Sequence, residues 1–270
     1  ITDTKDPRYG LLKGGYGTYD FDDYSYIEGE IEWCSTEHQC SALQGLEGCS
    51  LVLNVKKYKE AAELVRDQLY LKLYDKENGR FYQGISAEPD SAWALDCTSW
   101  AGITAFSIVN KECSFACEDA AKSEFLTEGK YLVQSSTQDY YNQRYSSSRS
   151  FSGFKPYSDR DGGYTGSPDI VWTEGTLGYA ALALLLGHGE EAKTYVDECI
   201  ALQEIENGTG GVLYVTATHA QLPWEFHVWE SVVSSAWLYL LIKNPDVLFP
   251  KTLRQVYYMA RITNIKRGES

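Results

Sequence analysis

Residues 174–187, EGTLGYAALALLLG, are apolar or small on every side, which describes a helix buried all round. The next run, EEAKTYVDECIALQEIE over 190–206, places Ala192, Tyr195, Val196, Cys199 and Leu202 at steps of three and four with acids between them, so this helix has one wet face. The same couple of buried and half-wet helix can be read three more times. Residues 37–54 are followed by 57–75, with Ala61, Leu64, Val65 and Leu69 on one stripe, and 96–110 (DCTSWAGITAFSIVN) by 113–134. Finally 229–243 (WESVVSSAWLYLLIK) leads, past Pro245 and Pro250, to a more polar helix over 251–263. Four helical hairpins of this kind form an inner and an outer layer. Inner helices that run parallel gather their N-termini at one end.

Composition narrows the function classes. The chain has 270 residues, 24 basic against 38 acidic, for a net charge of −14, so the basic stripe that a nucleic-acid partner requires is missing. Hydrophobic residues at 43% and aromatics at 14% supply a sizeable core and exclude a disordered chain. The longest nearly apolar stretch, 177–186, has ten residues against the ~20 of a membrane span. The seven cysteines lie mostly inside helical patterns, where free Cys acts as a small apolar filler, and none forms a CxxC pair. The sequon at 207–209 suits a secreted or cell-surface protein. The chain reads as one domain over 1–270 and as the C-terminal part of a longer fold, with 1–31 a lead-in loop and 135–171 a long Ser-, Tyr-, Gly- and Asp-rich loop on the functional side.

A Gly- and Tyr-containing stretch precedes each buried helix: KGGYGTYD near Gly15, GRFYQGIS near Phe81, DGGYTGSPD near Gly163 and TGGVLYVTAT near Gly211. These read as short strands or extended turns. Each is followed by a Trp close to an acid: Trp33 with Glu37, Trp93 with Asp96, Trp172 with Glu174, and Trp229 with Glu230. Successive acids are 59, 78 and 56 residues apart, a loose period of one hairpin plus a variable loop. If the inner helices are parallel, the four acids meet at one end.

The segments EWCSTEHQ (32–39), LDCTSW (95–100), VWTEGTLGYA (171–180) and WEFHVWES (224–231) make the chain resemble the six-hairpin (α/α)-toroid superfamily of glycosidases, phosphorylases and polysaccharide lyases, over about residues 14–243. The resemblance implies an all-α toroid with short strands in the loops at one end. About four of six hairpins are present, so a preceding segment or another chain is expected to complete the ring.

Glycoside hydrolysis needs one protonated and one ionised carboxyl, held ~6.5–9.5 Å apart in inverting enzymes. Glu174, with the most apolar helix behind it, is the expected proton donor, Glu37 or Glu230 its ionised partner, and Asp96 a group that positions sugar hydroxyls. Trp33, Trp100, Trp172, Trp224 and Trp229 are candidate stacking faces, joined by Tyr164, His38 and His227 as binding residues. Any one of these acids also suits a helix cap, and a lone His at a helix start is more often a structural donor. His188 and His219 are assigned nothing. The acidic runs at 18–30 and 158–163 have spacing a calcium ion could use, but a solvated loop is the ordinary reading, so no cofactor is expected. Few basic residues lie near the four clusters, which favours a neutral oligo- or polysaccharide and an inverting hydrolase. Two alternatives stay open: a polysaccharide lyase using Tyr or His, and a non-catalytic glycan-binding or structural surface protein.

Overall fold

The computed structural model describes residues 1–20, 22–108, 111–127, 149–160, 164, 166–204, 209–221 and 224–249. Within them run seven α-helices: α1 (Thr36–Leu53), α2 (Lys56–Leu73), α3 (Asp96–Ile108), α4 (Lys111–Phe125), α5 (Thr173–Leu186), α6 (Gly189–Gln203) and α7 (Val232–Lys243). Helices α1/α2, α3/α4 and α5/α6 form hairpins, and the odd-numbered helices pack side by side in chain order with the even-numbered ones against them. The described residues thus hold three helical hairpins and one further helix, α7. The helix expected over 251–263 and the stretches 128–134 and 135–148 lie outside the described residues.

Burial follows position in the row. Helix α5 packs against α3 on one side and α7 on the other and is buried along nearly its whole length, as its composition requires. It stops at Gly187, whose φ of 94° lets the backbone N–H turn back to the carbonyls of Ala183 and Leu184. Helices α1 and α7 depart from the expectation of all-round burial. Only Thr36, Gln39, Cys40, Leu43 and Glu47 of α1 and Ser234, Leu238 and Leu241 of α7 are buried, while Leu51, Val52, Leu53, Val232, Val233, Tyr239 and Ile242 face solvent. Each stands at an end of the row, with one inner helix packed along its length. A hydrogen bond from Gln44 Nε2 to the Leu248 carbonyl, at 3.3 Å, links α1 to the turn that follows α7.

The strands are short and sit between helices. β1 (Gly15–Tyr19) and β2 (Tyr26–Ile31) form a hairpin in the segment read as the lead-in loop, and β3 (Cys34–Ser35) precedes α1. After α2 come β4 (Tyr74–Asp75), β5 (Arg80–Phe81) and β6 (Gly84–Ile85), and β7 (Trp93–Ala94) precedes α3. After α4 come β8 (Leu126–Thr127), β9 (Gly153–Phe154) and β10 (Tyr157–Ser158). After α6 come β11 (Val212–Leu213), β12 (His219–Gln221), β13 (Trp224–Phe226) and β14 (Glu230–Ser231). The DGGYTGSPD stretch contributes no strand among its described residues.

A repeat emerges from the pairing. β3 pairs with β6, β7 with β10, and Trp172 bridges Val215, so each of the first three inner helices is entered from a residue bonded to the chain that leaves its own hairpin. The core between the layers is aromatic and thiol-rich. Phe154 stacks on Tyr179 at 4.0 Å, and Cys34, Cys40, Cys97, Cys113, Cys117 and Cys199 are buried and free, the filler role read from the sequence.

Candidate active site

The pairing register aligns three of the four acids. Ser35 faces Gly84, Ala94 faces Tyr157 and Trp172 faces Val215; two residues further on stand Glu37, Asp96 and Glu174, each in the first turn of its helix. Two threonines fix the approach. Thr36 donates its N–H to the Gln83 carbonyl at 2.9 Å and its hydroxyl to that of Tyr82. Thr173 does the same in the third repeat, its N–H to Tyr214 at 3.0 Å and its hydroxyl to the Leu213 carbonyl at 2.7 Å, and it also shares a hydrogen bond with Ser234 Oγ at 2.8 Å. Both threonines are fully buried, so the backbone carrying each glutamate is held on two sides. Gly175 is required beside Glu174, because a Cβ there would run into the Trp172 ring and Leu95.

The fourth acid is elsewhere. Glu230 lies in β14, ahead of α7 rather than in its first turn, and its carboxylate accepts from the backbone N–H and hydroxyl of Thr209. Counted from Ser231 as from Ser35 or Trp172, the position matching Glu37 and Glu174 is Val233.

Glu37, Asp96 and Glu174 act on one another. Burial raises the pKa of Glu37 and of Asp96; the hydrogen bond they share pulls Glu37 back down and pushes Asp96 further up. Glu37 and Asp96 therefore titrate as one pair, both above the ordinary carboxylate range. Glu174 is pushed up to about 7, first by burial and then by the charge of Asp96. No Lys or Arg among the described residues is a cause of the shift at Glu37 or Glu174.

Aromatic side chains wall the acids. Tyr157 stacks on Tyr164 at 4.1 Å, and Tyr164 donates its hydroxyl to Gln83 Oε1 at 2.7 Å. Trp172 meets Tyr214 edge-on at 6.4 Å, and Tyr214 stacks on Phe226 at 5.9 Å. Burial pushes Tyr164 and Tyr214 up to about 12, and Asp96 acts on both phenols and on Tyr157 in the same direction, which places all three rings beside the acids. Tyr157 and Tyr214 were not singled out by the sequence, where nothing in their spacing separates them from the other tyrosines.

The remaining expected binding residues are dispersed. Trp33 lies half-buried against Gly84, where a Cβ would come within 2.6 Å of its indole. His38 is exposed, and its backbone N–H serves the Ser35 cap at 3.4 Å. Trp93 is core, under the guanidinium groups of Arg80 at 4.1 Å and Arg160 at 4.6 Å. Trp100 packs edge-on against Trp237 at 5.8 Å, one turn inside α3. His227 is buried 4.7 Å from Trp229, whose carbonyl accepts from the Tyr214 N–H at 2.8 Å, so these two adjoin the site from behind Tyr214. The side chain of Trp224 lies outside the described residues.

Metal ligation has one candidate cluster among the described residues, Glu118, His188 and Glu191. His188 Nδ1 is 2.7 Å from Glu118 Oε1, but Lys122 Nζ lies 3.6 Å from Glu118 and 3.0 Å from Glu191, so an ammonium already neutralises both carboxylates. In the acidic run at 18–30, which takes in the ends of β1 and β2 and the turn between them, Asp20 and Asp23 accept backbone N–H groups at 2.8 Å. No described helix is long and apolar enough to cross a membrane.

No protein-family model and no curated protein sequence matches the chain. Among solved structures it is similar to an alpha-amylase from Clostridium perfringens, at 13% identity and a TM-score of 0.50, over 94% of this chain and 67% of that one. It also overlays, at a TM-score of 0.46 and 11% identity, on a family 76 glycoside hydrolase from a bovine Bacteroides thetaiotaomicron strain, over 83% of this chain and 45% of that one. For a possible member of the GH105 family from Salmonella enterica serovar Paratyphi A the TM-score is 0.48 and the identity 14%, over 80% of this chain and 57% of that one. The chain thus spans about half to two thirds of the length of these structures. At such identity the likeness is one of fold.

Proposed function

We propose that the protein is a glycoside hydrolase acting on a neutral oligo- or polysaccharide with inversion at the anomeric carbon. The observation that supports this most is the row of three carboxyls at the first turns of α1, α3 and α5, each pushed by burial above the ordinary carboxylate range, Glu174 to about 7. Glu174 protonates the leaving glycosidic oxygen. Glu37 takes a proton from the water that attacks the opposite face of the sugar. Glu37 and Glu174 stand on helices on either side of α3, and the charge of Glu174 acts on Glu37, so the two carboxyls face one cleft; an inverting pair stands ~6.5–9.5 Å apart. Asp96 shares a hydrogen bond with Glu37 that favours the ionised form of that base. Tyr157, Tyr164, Tyr214 and Trp172 offer the apolar faces on which sugar rings stack. The absence of a cation acting on Glu37 or Glu174, among the described residues, favours a neutral ring over a uronate. Tyrosines with raised pKa values are poor bases near neutrality, which weighs against the lyase chemistry.

The test is turnover of a panel of neutral oligosaccharides, with the first-formed anomer followed by proton NMR. Inverted product from the wild type and none from Glu174→Gln is expected. Retained product overturns the assignment of Glu37 as base, and no turnover of any glycan favours a binding or structural protein on this fold. A secreted or cell-surface location belongs to the same reading.

A further inference from the structure

We propose that the β1–β2 hairpin is an accessory platform for a neutral polysaccharide chain, lying outside the cleft that holds the three acids; this rests on the glycan reading above. Tyr16, Tyr19, Tyr24 and Tyr26 all belong to this hairpin and its turn, and they are between 55% and 76% exposed. Tyrosine ordinarily buries its ring and leaves only its hydroxyl wet. Four rings turned outward on one two-stranded ribbon are a surface made for contact with something flat and partly apolar.

The backbone gives a second, independent sign. Tyr24 has a φ of 59°, in the left-handed region where Gly, Asn and Asp are at ease and a bulky ring is an outlier. The turn from Asp20 to Ser25 is already shaped by the Asp20 and Asp23 side chains accepting backbone N–H groups, so no local hydrogen bond needs a tyrosine at this position. The strained residue is also the most exposed of the four. A conformational cost borne to hold a ring in water points to a contact made by that ring.

Placement and charge define the occupant. β2 ends at Ile31, two residues before Trp33 and six before Glu37, so the ribbon springs from the rim of the acid-bearing end. Its five-residue strand reaches about 17 Å, more than one sugar ring, so a ligand touching both hairpin and cleft must be a polymer. The hairpin carries Asp20, Asp22, Asp23, Glu28 and Glu30, and the Lys13 ammonium at its base is engaged by Glu30 at 2.5 Å and Glu32 at 2.9 Å. That charge repels nucleic acid, anionic membranes and uronate polymers. Carboxylates beside exposed phenols, such as Glu28 accepting from the Tyr16 hydroxyl at 3.0 Å, suit a hydroxyl-rich neutral chain whose C–H faces stack and whose O–H groups donate.

The experiment is native affinity electrophoresis of the 270-residue chain through soluble starch, galactomannan, arabinoxylan and hydroxyethyl cellulose, with polygalacturonate as acidic control. The wild type is expected to be retarded by at least one neutral polymer and not by polygalacturonate. Tyr24→Asn, which suits the left-handed backbone better and so keeps the fold, and Tyr19→Ala are each expected to weaken that retention roughly two- to tenfold. Glu174→Gln is expected to be retarded as the wild type is. Unchanged retention in both tyrosine variants, or no retention of the wild type by any neutral polymer, overturns the platform. Turnover of oligosaccharides with unaltered polymer retention in both tyrosine variants would leave the hydrolase reading standing and sink this one. Tyrosine-dependent retention without any turnover would do the reverse.

Discussion

At the start of α1, α3 and α5 the chain leaves a residue bonded within its own repeat, Ser35, Ala94 or Trp172, and reaches a carboxyl two residues later. At the start of α7 the same step from Ser231 arrives at Val233, and Ser231 is paired backward, to Val212 of the preceding repeat. The local sequence is similar in all four places, a Trp close to an acid at the edge of an apolar helix. What differs is the partner strand, and the partner decides which side chain enters the cleft. An acid near a helix start is thus not yet an acid in a site; the long-range register makes it one.

The largest test of that difference is catalytic. Glu174→Gln and Glu37→Gln are expected to lower kcat/KM on an unactivated neutral oligosaccharide by ~10²–10⁴-fold, whereas Glu230→Gln lowers it by less than about tenfold. Equal losses at positions 174 and 230 would break the distinction between the repeats. The pH profile sharpens it. Activity should fall as pH rises through about 7, where Glu174 loses its proton, and that limb should persist in Glu230→Gln.

Stability gives the next effect. Glu174 has a folded pKa above its ordinary value of 4.5, so its favourable contribution is complete below about 4.5 and is lost as pH rises toward 7. Glu174→Gln should therefore stabilise the fold by about 1–3 kcal/mol at pH 8 and by little at pH 4, read from urea unfolding. Glu230→Gln should stabilise at neither pH, since its carboxylate is engaged by Thr209. A gain for Glu230→Gln at pH 8 would place that acid in the same environment after all.

Thr173→Val is expected to cost about 1–3 kcal/mol, because it removes the hydroxyl from a buried set of Leu213, Tyr214 and Ser234. The matching change in the fourth place, Val232→Thr, should stay within ~0.5 kcal/mol, since Val232 is 86% exposed. Equal costs would show that α7 is anchored like α5.

The smallest effect concerns the ends of the row. The apolar flanks of α1 and α7 are proposed to be covered by a further segment or another chain, so this 270-residue chain alone should self-associate weakly in sedimentation. Val52→Lys with Ile242→Lys should lower the associated fraction with little change in stability. A strictly monomeric wild type would argue against that cover.

How far the sequence could be read follows from the same contrast. Helix periodicity is local, so α1 to α6 begin within a few residues of where their patterns place them, and of the α6 stripe read as Ala192, Tyr195, Val196, Cys199 and Leu202 all but the half-buried Val196 are buried. The α2 stripe is centred one residue further round, on Ala62, Val65, Leu69 and Leu73, because helix facing depends on the neighbour and not on the pattern alone. Register depends on bonds between residues such as Ser35 and Gly84 or Trp172 and Val215, far apart in the chain, and Trp was a poor marker for it. Trp172 is the bridging residue itself, Trp93 lies one place before its counterpart, and Trp33 two. A better marker was present in the repeated Thr-Glu pairs at 36–37 and 173–174, which have no counterpart at Val232 and Val233.

Because the strand pairs at the starts of α1 and α3 each close within one hairpin, no ladder among the described residues joins the first repeat to the second, while the Trp172 N–H donates to the Phe154 carbonyl at 2.9 Å and ties the third repeat to the second. Glu37 therefore rides on one stapled unit, and Asp96 and Glu174 on two units that a backbone hydrogen bond ties together. Such units can slide by fractions of an ångström with their strand pairs intact, so the gap between proton donor and base can widen to admit a sugar and narrow around it at little cost.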